Sequence, residues 1–320
     1  MGGKMDYQTF QDEIKKLAEE SFRENGEYAL SWYTAHKNNV TKKGLTIKEK
    51  GRGLGITVYL DQYYQYYQNY LRGESLSEIC SDLLSLCREN QIPDIHTSGL
   101  KDYGKMKGTL RTHLVGREQN AAFLEKGPYK IHPIGAEVVY AELARNRNGT
   151  CGMRVTHEIL EQWGVPEQEV FEAARENSQK EEGVRFVSLQ SLINETLLET
   201  MGEIPGLEMP EEEPPDKDGM YVLTNRFRSN GAAVLLYPGV LEEVHEKMGG
   251  DYYILPSSVH EVMILSKETK FPPEELRGMV RSINREQVLP EERLGNDVYE
   301  FQGKTGTLQK CKIAEKERNR

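Results

Sequence analysis

Met220-Tyr-Val-Leu-Thr224, Ala232-Ala-Val-Leu-Leu-Tyr237, Val240-Leu-Glu-Glu-Val-His-Glu-Lys-Met248, Tyr252-Tyr-Ile-Leu255 and Glu261-Val-Met-Ile-Leu265 follow one another in one stretch of chain, and their order decides the fold. Short apolar runs bounded by turn residues read as strands. The first, second, fourth and fifth segments are therefore expected strands. Val240–Met248 carries helical spacing and is closed by Gly249 and Gly250, a helix stop. Pro256-Ser257-Ser258 supplies a turn. Strands and helices in this order build a layered α/β unit. The stretch contains no phosphate loop, metal cluster or nucleophile elbow.

Downstream, Pro272 and Pro273 open a helix expected over Glu274–Asn284, and Asp297–Phe301 reads as a last strand. The two helices are expected to cover one face of the sheet. From Gly303 the chain turns polar, with six basic and two acidic residues between Lys304 and Arg320. This tail is expected to fray. Upstream, Gly202–Asp218 holds Pro205, Pro210, Pro214 and Pro215, with six acidic residues between Glu208 and Asp218. Proline removes donors and like charges repel, so the segment reads as a boundary.

The N-terminal part has its own pattern. A helix over Met5–Asn25 presents Phe10, Ile14, Leu17 and Phe22. Tyr28–His36 and Gly44–Lys50 read as a hairpin, and Ile56–Leu60 as a third strand. Asp61 is an expected N-cap for a tyrosine-rich helix, and another helix runs to Arg88. Met106–Val115, Ile134–Leu143 and Thr150–Thr156 read as strands, the last two around an Asn-rich turn. Arg117–Leu124 reads as a short helix. Thr156 caps a helix over His157–Trp163 that Gly164 ends. Pro166 opens a helix to Asn177, and Phe186–Thr200 reads as helical.

With 320 residues, 37% hydrophobic and 29% charged, the chain has material for about two domains. The expected organisation is an α+β region over 1–204, divisible near 150, an acidic Pro-rich linker over 205–218, an α/β domain over 219–302 and a basic tail over 303–320. A net charge of −10 and a pI near 5.4 disfavour nucleic acid as a partner, although a local basic patch is compatible with them. Cys80, Cys87, Cys151 and Cys311 form no CxxC pair. Zinc spacing is absent, and free thiols in a reducing cytoplasm are expected. Neither a signal peptide nor a membrane span is visible.

Residue chemistry offers five candidate sites. Ser257 or Ser258 with His260 and Glu261 has the residue types of a serine hydrolase. Neighbouring strand residues point to opposite faces, however, and the elbow motif is missing. A turn with serine hydroxyls on backbone groups is the competing reading. Gly51-Arg-Gly-Leu-Gly55 is followed by a strand, where a dinucleotide loop needs a helix. Tyr63, Tyr66, Tyr67 and Tyr70 share a helical face that could contact a partner or ligand, or form a half-buried core face. The seven histidines make no metal-binding pair at helical spacing. The basic tail could touch an acidic partner. No cofactor and no metal is expected.

Several phrases carry a family resemblance. They are Lys37-Asn-Asn39 with Gly44-Leu-Thr-Ile47, Thr57-Val-Tyr-Leu60 before Tyr63-Tyr64, and Val155-Thr-His-Glu-Ile-Leu160 with Trp163-Gly-Val165. Tyr221-Val-Leu-Thr-Asn225, Leu236-Tyr237-Pro238 and Tyr253-Ile-Leu-Pro-Ser-Ser258 with His260-Glu261 complete the set. Over nearly its whole length the chain resembles DUF5688, a family of unknown function from gut Firmicutes. The part from Thr156 to about Asn177 and the C-terminal part are also similar, more weakly, to a second uncharacterised Firmicute family. Neither resemblance implies an activity. One departure is Val40-Thr41, where the family pattern implies a glycine.

The combined expectation is an intracellular bacterial α+β protein acting as a non-catalytic binding or regulatory factor on a protein or small ligand. The competing expectations are a hydrolase built around Ser258 and His260 from distant residues, and a factor of mobile elements or phage. The first of these competitors needs a nucleophile, base and oxyanion donors in mutual reach.

Overall fold

The structure is a computed structural model that describes residues 5–25, 28–51, 55–70, 76–89, 97–146, 149–201 and 219–313. The expected linker, most of the glycine loop after Gly51, the centre of the Asn-rich turn and residues 314–320 lie outside the described residues. The chain divides into two compact units, Met1–Asp102 with Leu143–Cys151, and Tyr103–Glu142 with Gly152–Arg320. The fold is α+β, as expected, and every named strand pair is antiparallel.

In the first unit, helix α1 (Tyr7–Asn25) is followed by strands β1 (Tyr28–Lys37), β2 (Val40–Glu49) and β3 (Ile56–Tyr59), then α2 (Asp61–Tyr70) and α3 (Leu76–Glu89). The strands form a sheet in chain order. Asp6 opens α1 by accepting the Thr9 N–H at 2.8 Å, which pulls its carboxyl below the usual range. Phe10, Ile14 and Ala18 recur at helical spacing and pack on Leu45, Ile47 and Val58 of the sheet and Ile79 and Leu83 of α3. The alternation along β2 leaves the opposite face of this sheet outside that core.

The second unit runs α4 (Tyr103–Met106), β4 (Leu110–Val115), α5 (Ala121–Leu124), β5 (Tyr129–Ile131), β6 (Ala136–Asn146) and β7 (Gly149–Arg154), of which residues 143–146 and 149–151 belong to the first unit, then α6 (His157–Trp163), α7 (Glu167–Glu182), β8 (Arg185–Ser188) and α8 (Leu189–Met201). It continues with β9 (Met220–Thr224), α9 (Val240–Met248), β10 (Tyr252–Leu255), β11 (Val262–Ser266), α10 (Pro273–Glu286), β12 (Tyr299–Gln302) and β13 (Thr307–Lys310). β6 pairs with β4, β5 and β7, and a six-stranded sheet has the order β13-β12-β10-β11-β9-β8. Thr156 caps α6 with its hydroxyl on the Ile159 N–H, and Gly164 ends it in the left-handed region at φ 63°, as its sequence signals.

Five expectations are corrected. Ala232–Tyr237 is not a strand: Gly231–Leu236 is a 3-10 helix, entered from Asn230 at φ 51°. That positive φ breaks an extended path, and the run then packs its small residues into the core. The start of Phe186–Thr200 belongs to β8 rather than to the helix. The strand expected from Met106 begins only at Leu110, after a helical turn. Residues beyond Gly303 do not simply fray: β13 pairs with β12 from Tyr299↔Lys310 to Gln302↔Thr307. Finally, α9 and α10 cover opposite faces. Val240 and Val244 pack with Tyr252 and Ile254, whereas Leu276 and Val280 pack with Tyr253 and Leu255.

The break expected at 205–218 falls outside the described residues. β8 and β9 flank that segment in sequence and pair from Arg185↔Thr224 to Ser188↔Tyr221. Strands before and after the acidic stretch therefore share one sheet.

Candidate functional site

The serine–histidine turn sits between β10 and β11. Its backbone is clamped by residues 292–295: Val259 N–H donates to Glu292 O at 2.8 Å, Leu294 N–H to Ser257 O at 3.2 Å, and Gly295 N–H to Pro256 O at 2.9 Å. The His260 N–H donates to the Ser258 hydroxyl at 3.0 Å. The Asn230 N–H donates to His260 Nδ1 at 3.1 Å, and Nε2 faces Glu292 at 3.6 Å. The His260 carbonyl accepts from the Thr224 hydroxyl at 2.8 Å. Both ring nitrogens thus face other partners, and the serine oxygen serves the backbone. The structure brings Ser258 and His260 together as a turn and not as a nucleophile bonded to a base. Glu261 precedes β11 and is half-buried.

The tyrosine helix divides between core and surface. Tyr67 is buried, and Tyr63 and Tyr64 are half-buried against the first unit's core. The Tyr64 hydroxyl donates to Met5 O at 3.0 Å, and its ring lies 5.0 Å from Tyr7 and 5.2 Å from Phe10. Tyr66 points outward, half exposed. The side chain of Tyr70 lies outside the described residues. This helix, α2, mainly packs its tyrosines against the start of α1.

The densest polar constellation was not singled out from the sequence. It threads the second unit beneath α7. Glu137 on β6 is 1% exposed and accepts from Arg175 Nε at 2.7 Å and the Thr112 hydroxyl at 2.9 Å, with Arg175 Nη2 on its second oxygen. The Thr112 N–H donates to the Ser178 hydroxyl at 3.0 Å. One helical turn on, Glu182 accepts from Asn225 Nδ2 at 3.0 Å and the Tyr237 hydroxyl at 3.1 Å. Arg111 reaches toward Glu142 at 3.6 Å and Glu182 at 3.9 Å. Burial first, then the Glu182 carboxylate, hold the Tyr237 phenol far above its usual range. Burial, then the Arg175 cation, push His132 down to about 4. Arg175, Ser178 and Glu182 lie three and four residues apart, so one helix face delivers all three.

Among the described residues no group of three or more His, Cys, Asp or Glu side chains could hold a metal ion. Cys80, Cys151 and Cys311 are free, and burial raises Cys80 and Cys311 to about 11, which makes them poor nucleophiles. No described helix is long and apolar enough to cross a membrane.

A family model described as a family of unknown function, DUF5688, matches residues 7–303. The chain belongs to the DUF5688 family. No curated protein and no solved structure matches it. The DUF5688 match spans both compact units, so the hairpin sheet of the first and the polar constellation of the second both fall within it.

Proposed function

We propose that this DUF5688 protein is a non-catalytic binding or regulatory protein that works through protein contacts at the β8 edge of the six-stranded sheet. The observation that carries the reading is where its surface is apolar. Of the ten large apolar side chains exposed among the described residues, four lie in segments next to this strand: Val184, Ile193, Leu197 and Phe227. Val184 precedes β8, and Ile193 and Leu197 stand one helical turn apart on α8. Arg228 ties the Phe227 turn to α8 through Thr196 at 3.2 Å. β8 is the terminal strand of its sheet. A terminal strand offers backbone donors and acceptors to an added strand, and flanking apolar side chains supply the burial that makes addition favourable. The geometry around Ser258 weighs the same way, since its hydroxyl and the His260 ring serve the turn.

Affinity capture from the native organism, followed by mass spectrometry, tests this. The wild-type chain should retain a partner that an Ile193→Asp/Leu197→Asp chain loses, with both chains folded by circular dichroism. A wild-type esterase or peptidase activity abolished by Ser258→Ala would instead establish the hydrolase reading.

A further inference from the structure

The chain is acidic overall, yet Tyr28–Lys50 carries five lysines against one glutamate, a net +4 in a molecule of −10. The rest of the protein therefore carries about −14, and this hairpin, like the tail from Lys304, concentrates positive charge locally. β1 and β2 build that hairpin, and β3 extends it to a three-stranded sheet.

Register sorts these residues by face. Tyr33 pairs with Gly44, which pairs with Tyr59. The three share the face opposite α1, with Lys42 and Lys48 at the same parity along β2 and Lys37 at that parity along β1. Direct contacts bear this out: Lys37 Nζ lies 4.2 Å and Lys42 Nζ 5.8 Å from the Tyr59 ring centre. Two ammonium groups are thus held over one ring. Gly44 makes room for this: a Cβ there would lie 2.6 Å from Thr57 Cγ2 and 3.2 Å from Tyr59 Cδ1. Tyr33, across Gly44, is 55% exposed.

From this we infer that the outer face of the β1–β3 sheet binds single-stranded nucleic acid, with Lys37, Lys42 and Lys48 on phosphates and the Tyr33 ring under a base. An acidic peptide would use the lysines alone. An exposed aromatic ring beside them on an open antiparallel face suits a planar, unpaired base, which a duplex does not present. The −10 net charge weighs against a broad nucleic-acid surface and is compatible with a local one. This face lies in the first unit, so it stands or falls independently of the β8 edge.

Fluorescence anisotropy of the full chain with labelled oligouridine and oligodeoxythymidine of about 12 nucleotides tests the inference. Binding should weaken with salt at a log–log slope of about −2, as three lysine–phosphate contacts on a single strand require. Tyr33→Ala should weaken it about tenfold, and Lys37→Glu/Lys42→Glu/Lys48→Glu should remove it. Lys180→Glu, on α7, should leave it unchanged. Preference between the two oligonucleotides tells RNA from DNA. Tighter binding of polyglutamate or of duplex than of either single strand would overturn the inference, as would a Lys180→Glu loss equal to that of the triple variant. A Lys37→Gln/Lys42→Gln chain should give an intermediate loss, which keeps the test decisive if charge reversal perturbs the hairpin.

Discussion

His132 should make the second unit acid-sensitive. It joins β5 to β6, its N–H and carbonyl bonded to Gly135, and its Nδ1 accepts the Ile134 N–H at 3.4 Å. Burial and the nearby Arg175 cation both penalise a second proton on the ring, and its pKa is held at about 4. An unfolded histidine titrates near 6.5. The folded value is depressed, so the unfolded chain binds the proton first as pH falls. The stability contribution is complete above about pH 6.5, declines between about 6.5 and 4, and is lost below that window. The two values correspond to about 3 kcal/mol, an upper figure because part of the ring reaches solvent. Denaturant unfolding can be followed by Trp163, which is buried in this unit, in a Trp32→Phe background that silences the other tryptophan. Wild-type stability minus that of His132→Gln should be flat above neutrality and fall through the acidic window. Parallel curves for the two proteins down to about pH 4 would refute the reasoning. In Arg175→Met the same difference should shrink, because one of the two causes is gone.

Two further outcomes follow from the same unit. Arg175→Met should destabilise it by about 2–3 kcal/mol, since a carboxylate 1% exposed loses its cation while Arg175 itself reaches water; adding Glu137→Gln should restore part of the loss, read as a coupling energy from a double-mutant cycle. Gly231→Ala should cost about 3 kcal/mol in denaturant unfolding, because the new Cβ would lie 2.1 Å from Thr224 Oγ1 and 2.5 Å from His260 O, inside a fully buried corner.

Local signals were legible wherever chain chemistry and packing agree. Thr156 and Gly164 bracket α6 because a hydroxyl cap and a left-handed glycine act within one turn of chain. Tyr252–Leu255 has the apolar run of a strand, and its burial explains the cover it receives. All four residues are buried, and a strand buried on both faces needs cover on both sides, which is why α9 and α10 divide between them. Ala232–Leu236 misled because a fully apolar run has no period to tell strand from helix. β13 was hidden by its polarity: as an edge strand it exposes most of its residues. The polar constellation was illegible for another reason. Thr112, Glu137, Arg175, Glu182, Asn225 and Tyr237 come from separate elements, and only the pairing of β4 with β6 and the seating of α7 bring them together. The one available hint was Glu137 within the apolar run Ala136–Ala141, a carboxylate that burial requires to be paired.

That pairing bears on what the β8 edge can do. Glu182 is the last residue of α7, and β8 starts three residues later at Arg185. Its carbonyl accepts the Arg226 N–H at 3.0 Å while its carboxylate holds Asn225 and Tyr237. One residue therefore ties the entry to β8, the exit from β9 and the 3-10 helix beneath the sheet. Asn225 in turn receives the N–H groups of Phe227 and Ser229 at 3.1 and 3.3 Å, which sets the turn that presents Phe227. A buried carboxylate is an expensive anchor unless it is hydrogen-bonded, and here the bonds from Asn225 and Tyr237 hold Glu182 to the backbone on which the apolar edge stands, while the buried Arg111 Nε facing it at 3.9 Å has no hydrogen-bond partner among the described residues. The conformational freedom lost when a partner binds is a large part of the cost of association, and an edge already held in place has less to lose. In the proposed reading of the β8 edge as a docking surface, the buried polar groups would act on recognition indirectly, by keeping the surface strand and its neighbouring turn in one conformation.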